Sequence, residues 1–351
     1  MARENLTYRL AERPKTSIIP GQTFKVEKTP APTADDLKDG QILVEVLYLS
    51  LDPAMRGWLN DARSYVPPVA IGERMRGATV GTVLASRNPK AKEGDFVTTF
   101  SGWTEVAVLD EKQFDVVDLP KNAKLTDTLG VLGMTGLTAY FGLSKVGQPK
   151  AGETVVVSGA AGATGSVVGQ ICKLKGCRVV GIAGSDDKCA WLTQELGFDA
   201  ALNYKSPTFY KDLTAATPDY IDIYWDNVGG EILELALNRA AFRSRFVMCG
   251  SISGYNNPGK ESKGIRNLYH VIAQRIRMEG FIVFDHMAEY ASAKKELGQW
   301  LSEGKLKSKE TIAKGGLGVA ETAIQDLFAG KNTGKLIVEV KPFDEVRGAK
   351  L

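Results

Sequence analysis

From Glu153 onward the sequence alternates short apolar runs with helical segments, and this alternation restricts the fold more than any other feature. Thr154-Val-Val-Val157 is too short and too β-branched for a helix, and apolar enough to be buried on both faces. The stretch 166–175 carries Val167, Val168, Ile171 and Leu174 at the spacing of one helix face. Further strands are expected at 178–182, 200–203, 220–225, 245–249 and 280–284, and a helix at 187–196. Strands joined through helices stack in parallel, with helices on both faces. The expected class is α/β, with a Rossmann-type doubly wound parallel sheet.

The first 120 residues read differently. Segments 41–50, 77–84 and 96–100 are β-rich and punctuated by Gly94-Asp95 and Ser101-Gly102. They suggest a second, all-β barrel or sandwich. Thr126-Asp127 is placed to cap a helix running into 129–132, and 136–145 reads as another helical segment. The late strand 335–340 lies outside the alternation and is expected to return to the β-rich domain.

The most informative motif is Ser158-Gly-Ala-Ala-Gly-Ala-Thr-Gly165, between a strand and a helix. A dinucleotide loop needs that setting: a tight turn, a backbone bare enough to approach a pyrophosphate, and a helix N-terminus aimed at it. In the G-x-G-x-x-G register the positions are Ala160, Gly162 and Gly165, so the first glycine is replaced. No Gly-Lys-Ser/Thr follows, which excludes a Walker loop. The second strand ends Ala183-Gly-Ser185, without the acid that usually meets a ribose 2′-hydroxyl. Asp186 and Asp187 suit the start of a helix, and Lys188 follows them. A small residue, a hydroxyl and a lysine favour the 2′-phosphate of NADP(H) over NAD.

Composition excludes other classes. Lys+Arg (44) and Asp+Glu (41) leave a net charge of +3 and no basic stripe for nucleic acid. No apolar run reaches the ~18 residues of a membrane span, and the first residues lack a secretory apolar region. Cys172, Cys177, Cys189 and Cys249 form no C-x-x-C pair, and His270 and His286 are the only histidines, so no metal site is expected. A reduced compartment fits, the cytoplasm first. Ala349-Lys350-Leu351 nearly matches a peroxisomal address, which keeps the peroxisome as the alternative.

Three stretches together resemble the medium-chain dehydrogenase/reductase superfamily: Leu51-Asp-Pro-Ala-Met-Arg56, Gly133-Met-Thr-Gly-Leu-Thr-Ala-Tyr-Phe-Gly142 and 160–171. Within it the chain is similar to the zinc-free leukotriene B4 dehydrogenase/prostaglandin reductase branch, with alkenal double-bond and curcumin reductases. Lys173-Leu-Lys-Gly-Cys-Arg-Val-Val-Gly181, Asp226-Asn-Val-Gly-Gly230 and Asn332-Thr-Gly-Lys-Leu-Ile-Val338 extend the match over nearly the whole chain. The resemblance implies a GroES-like β-barrel domain over 1–127 and 306–351 and an NADP-binding domain over 128–305. It also implies a homodimer. Gly162, Ala163 and Gly165 match the pyrophosphate segment; Lys188, Tyr204 and Ser185 match the 2′-phosphate motif. Asn227 and Asn332 match further cofactor contacts, Met134 and Thr138 the segment under the nicotinamide, and Tyr255 a tyrosine near nicotinamide and substrate.

Two departures stand out. Ala273 sits four residues before Arg277, where leading branches carry the tyrosine proposed as proton donor. Ala54 stands where many members have tyrosine. The implied reaction is NADPH-dependent reduction of the C=C bond of an α,β-unsaturated aldehyde or ketone. Tyr255 is the first candidate donor to the enolate oxygen, and Tyr65, Ala54, Ala273 and Arg56 are candidates for the substrate pocket. A salt-bridge role is equally open for Arg56. A quinone reductase and a non-catalytic NADPH-binding scaffold are the competing readings.

Overall fold

The computed structural model describes residues 3–257 and 264–343. The chain forms two compact units: one of residues 1–119, 124–129 and 310–351, the other of 120–123 and 130–309.

The first unit is organised by Ile42–Ser50, a strand buried along its whole length. It pairs antiparallel with Thr79–Ser86, Val106–Leu109 and Lys335–Glu339. The late strand therefore returns to the β-rich unit, as the sequence suggests. Glu310–Ala313 extends the sheet beyond it, and Phe96–Thr99 and Phe114–Val116 complete seven strands. A separate hairpin joins Glu4–Leu10 to Phe24–Pro30. Trp103 is fully buried, against Phe24 and Tyr8.

The second unit carries six strands, every adjacent pair parallel. Counted in chain order, Thr154–Val157, Arg178–Ala183, Ala200–Asn203, Ile221–Asp226, Ala240–Met248 and Arg277–Gly280 lie 3-2-1-4-5-6 across the sheet. This is the doubly wound order, and strand order reverses between the first and fourth strands. Helix Ala163–Leu174 packs its buried face on the sheet. Two glycines allow the close approach: a Cβ on Gly169 would run into the Phe198 ring, and one on Gly181 would lie 2.8 Å from Leu192.

The differences from the sequence reading are local. The sixth strand is Arg277–Gly280, not 280–284. It is an exposed sheet edge and needs no apolar run. The apolar residues after it serve the core from outside the sheet, Phe281 meeting Trp225 edge-on at 5.7 Å and Val283, buried, opening the 3₁₀ segment Val283–Glu289. Thr126-Asp127 begins no long helix. The Asp127 carboxylate instead accepts the Lys124 N–H at 2.7 Å within a 3₁₀ turn, Leu125–Leu129. The helix forms later, over Met134–Phe141, and loosens into a π turn at Gly142, which packs against Trp225 and Phe281.

Candidate nucleotide site

Ligands of doubly wound sheets bind beyond the carboxyl ends of the strands, where strand order reverses. Here the loops leaving those two strand ends begin at Ser158 and Asn227, and they are locked together. The Asn227 backbone N–H donates to Ser158 Oγ at 2.9 Å, and its side-chain amide donates to the Ser158 carbonyl at 2.7 Å. Ser158 Oγ donates to Asp226 Oδ1 at 2.9 Å. The same oxygen accepts the Tyr224 hydroxyl (3.1 Å) and the N–H groups of Val228 (3.0 Å) and Gly229 (2.8 Å). Asp226 is fully buried, and burial pushes its carboxyl up against the pull of those donors. Burial and the nearby Asp226 push the Cys249 thiol up to about 12. Asn227 Oδ1 accepts the Trp225 indole N–H at 3.0 Å. The Asn227 amide thus works first as a clamp between loops, a role that the motif alone did not disclose.

The phosphate loop explains its own departure from pattern. The left-handed residue of the turn is Gly159, at φ +57°. Ala160 has no such demand: it is buried, and its N–H donates to the Ile182 carbonyl at 2.9 Å. Gly165 is the position that tolerates no side chain. A Cβ there would lie 2.5 Å from the Gly159 carbonyl oxygen and 2.8 Å from Ala160 Cα. Gly162 caps the helix and brings no side chain to its first N–H groups. Those groups have no intrahelical acceptor and form, with the helix dipole, an anion-binding surface. Gly162, Ala163 and Thr164 are half-buried, whereas the next eight residues are buried.

A second group of candidate site residues lies at the tips of the second and third strands. Ser185 caps helix Asp186–Gln194, and its side chain does not close on the helix N–H groups. Burial and the charge of Lys205 hold the Lys188 ammonium below the usual lysine range. The Tyr204 ring lies against Gly184, where a Cβ would stand 3.0 Å from Cε1. Asp186 is drawn aside by the Asn203 amide at 2.8 Å. Ser185 and Tyr204 thus follow adjacent strand ends, and Lys188 lies in the first turn of the helix that Ser185 caps.

Met134 and Thr138 lie on helix Met134–Phe141, one turn apart, with Thr138 Oγ1 donating to the Met134 carbonyl at 2.7 Å. The Tyr290 hydroxyl donates to the Val283 carbonyl at 3.1 Å and touches Met134 Sδ at 3.8 Å. Burial, with Asp285 nearby, raises Tyr290 to about 12, so it stays protonated. Tyr255 follows a 3₁₀ turn, and its hydroxyl accepts the Ser251 N–H at 3.1 Å. Ala273 ends the short helix Tyr269–Ala273, and the Arg277 guanidinium bonds the Val146 carbonyl.

In the first unit, Ala54 and Arg56 share the short helix Ala54–Trp58. Arg56 is fully buried, and its three nitrogens bond Thr16 O (2.6 Å), Asn60 Oδ1 (2.6 Å) and Pro14 O (2.9 Å). It is a scaffold residue rather than one open to a pocket, and its partners are carbonyls rather than a salt-bridging acid. Tyr65 is exposed and accepts the Trp58 indole N–H at 2.9 Å. The Asn332 amide donates to the Gly334 carbonyl at 2.8 Å. A residue pair missed in the sequence joins these motifs: Lys335 Nζ, buried, bonds Asp52 Oδ1 at 2.6 Å and the Leu51 carbonyl at 3.0 Å.

Comparison with known proteins identifies the family. Residues 7–117 match the model of an N-terminal domain of oxidoreductase, and residues 163–300 that of a zinc-binding dehydrogenase. The chain is 41% identical over 342 residues to the NADPH-dependent curcumin reductase of Escherichia coli, covering 96% of this chain and 97% of that protein. It is 42% identical over 306 residues to the NADP(+)-dependent 2-alkenal reductase of Nicotiana tabacum, covering 85% and 87%. The crystal structure of CurA with NADPH from Vibrio vulnificus superposes with a TM-score of 0.88 at 38% identity, over 96% of this chain and 99% of that one. This chain belongs to the medium-chain dehydrogenase/reductase family. One model matched carries zinc in its name, yet among the described residues no three His, Cys, Asp or Glu side chains gather to hold a metal. Nor is any described helix of this family member long and apolar enough to cross a membrane.

Proposed function

We propose that this chain is an NADPH-dependent reductase of the carbon–carbon double bond of α,β-unsaturated aldehydes and ketones. The observation that carries the cofactor is the pair of anion sites on one sheet: the Gly165 cradle, which a single Cβ would fill, and the Ser185–Lys188–Tyr204 corner. The substrate class follows from the 41–42% identity to curcumin and alkenal reductases over most of the chain.

Bound NADPH supplies a hydride for the β-carbon of the substrate. The chain's own part is positioning and electrostatics. Gly162, Ala163 and Gly165 hold the pyrophosphate on the helix N-terminus. Lys188, Ser185 and Tyr204 hold the 2′-phosphate. Met134 and Thr138 support the nicotinamide, with Tyr290 packed against Met134. Asn227 fixes the two loops and Asn332 is a further cofactor residue. Negative charge builds on the substrate carbonyl oxygen, and a hydroxyl donor beside it lowers the barrier. Tyr255 is the donor we assign, and Tyr65, Ala54 and Ala273 are the residues we assign to substrate selection.

The open sheet edge at Arg277–Gly280, near exposed Phe242, Leu268, Tyr269 and Ile272, supports a homodimer built through the second unit. We place the protein in the cytoplasm; the peroxisomal alternative rests on residues 349–351, outside the described residues. The deciding experiment follows NADPH oxidation with enals, enones and quinones, each repeated with NADH. Turnover of enals or enones with NADPH preferred supports the assignment. Turnover of quinones alone changes the reaction class, and tight binding without turnover makes the protein a scaffold.

A further inference from the structure

Helix Ala163–Leu174 ends in a Schellman motif. The Cys177 N–H donates to the Cys172 carbonyl at 3.0 Å, and the Gly176 N–H donates to the Lys173 carbonyl at 3.0 Å, with Gly176 at φ +78°. The two residues spanned by the outer bond of this motif usually make an apolar contact. Here both are cysteines. The motif sets both side chains on one turn, and Cys177 Sγ donates to the Lys150 carbonyl at 3.2 Å. Lys173 Nζ lies 3.2 Å from the Cys177 carbonyl; the charges of Arg245 and Lys173 favour a thiolate at that sulfur, and burial and Glu153 oppose it.

We infer that Cys172 and Cys177 are a redox pair that closes to an intrachain disulfide under peroxide and reopens under thiol reductant. The thiolate of Cys177 attacks the peroxide O–O bond, giving a sulfenic acid and releasing hydroxide, which becomes water. The Cys172 sulfur then displaces the sulfenic oxygen as a second water. Two thiols and one peroxide give one disulfide and two waters. Position sets the order: Cys172 is enclosed within the helix, whereas Cys177 lies past its end between exposed Gly176 and Arg178. The interaction of the two thiols raises Cys172 and lowers Cys177, with burial and Glu153 opposing the fall at Cys177. Cys189 and Cys249 are both raised, by burial first, and lack this setting.

Cys177 is buried but flanked by exposed Lys175, Gly176 and Arg178. Opening of the last helical turn is therefore enough to admit a peroxide. The bond would staple the carboxyl end of the helix whose amino end carries the phosphate loop. This inference does not depend on the reductase reading.

The test uses the purified full-length chain, reduced, treated with hydrogen peroxide, then blocked and digested with trypsin without reductant. Lys173 and Lys175 lie between the cysteines, so trypsin separates them. A disulfide leaves two tryptic peptides joined, and reductant parts them. Thiols titrated in denaturant should fall from four to two and return with reductant. The staple should also raise the thermal midpoint of the oxidised protein. Cys172→Ala or Cys177→Ser should each abolish the joined peptides and that gain. Should a variant fail to fold, the wild-type peptide map decides alone. Four thiols surviving peroxide, or losses mapped to Cys189, Cys249 or links between chains, would overturn the inference.

Discussion

Lys188→Ala should cut the preference for NADPH over NADH by more than an order of magnitude. Lys188 is half-buried, and its charge is already opposed by burial and by Lys205. An ammonium so placed gains most when a phosphate arrives, because the phosphate offsets both penalties. A charge-assisted hydrogen bond contributes about 1.5–3 kcal/mol. Lys205 and Tyr204 remain in the variant, so the lower half of that range applies, about 2 kcal/mol. At 1.4 kcal/mol per tenfold, kcat/KM for NADPH should fall about 30-fold, mostly through KM. NADH has no 2′-phosphate, and its kcat/KM should move by less than about twofold. The wild-type preference for NADPH should also weaken with added salt, and the variant should have lost most of that dependence. The assay is steady-state oxidation of each cofactor with one enone, at low and high ionic strength. Equal losses for NADPH and NADH would mean that Lys188 only supports the fold. An unchanged NADPH value would remove the 2′-phosphate from this corner.

Other perturbations separate the remaining roles. Gly165→Ala places a Cβ 2.5 Å from the Gly159 oxygen, so the loop must shift by a substantial part of an ångström; the NADPH Kd, read by fluorescence titration, should rise about 10–100-fold in a chain that still melts cooperatively. Lys335→Met strands Asp52 beside Ser50 and should cost about 3 kcal/mol, roughly 6–12 °C in a calorimetric midpoint; a midpoint within 2 °C or so would show that the pair is dispensable. Burial raises the Asp226 carboxyl in the folded chain, so its contribution to stability is present below the unfolded value near 4 and is lost as pH rises through the raised folded value. The thermal midpoint of Asp226→Asn relative to wild type should therefore climb over that rise in pH, and a flat difference would refute the raised carboxyl. Tyr255→Phe should lower kcat about 100-fold with the NADPH KM unchanged; full turnover would reduce Tyr255 to its bond with the Ser251 N–H.

The alternation of strands and helices was legible because a parallel sheet buried on both faces must be written in β-branched apolar runs, and Thr154–Val157 and Arg178–Ala183 are such runs. The sixth strand was misplaced by the same rule. Arg277–Gly280 lies at the open edge and is mostly exposed, whereas Phe281 and Val283 fill the core without belonging to a strand. Apolar runs report burial, and they report strands only where burial and pairing coincide. The helix expected after Asp127 failed for a related reason. An aspartate that accepts an N–H three residues back caps a single 3₁₀ turn as readily as a long helix.

The site shows a different limit. Motifs in the right order identified the family, yet they did not sort residues that face a ligand from residues that hold the ligand-facing ones. Arg56 spends its guanidinium on Thr16, Asn60 and Pro14; Asn227 spends its amide on Ser158 and Trp225. Lys335 and Asp52 stand inside two recognised motifs and bind each other. Arg56 and Lys335 are buried and Asn227 and Asp52 half-buried, and polar groups withdrawn from water need such partners supplied, whether or not they face a ligand. Gly165 and Ala160 show how the two cases part. A Cβ at 165 collides with backbone, whereas the one at 160 already fits, so the first glycine of the pattern is dispensable here and the last is not. A fingerprint is thus a list of steric and polar demands, and each position must be tested against the demand that its own backbone makes.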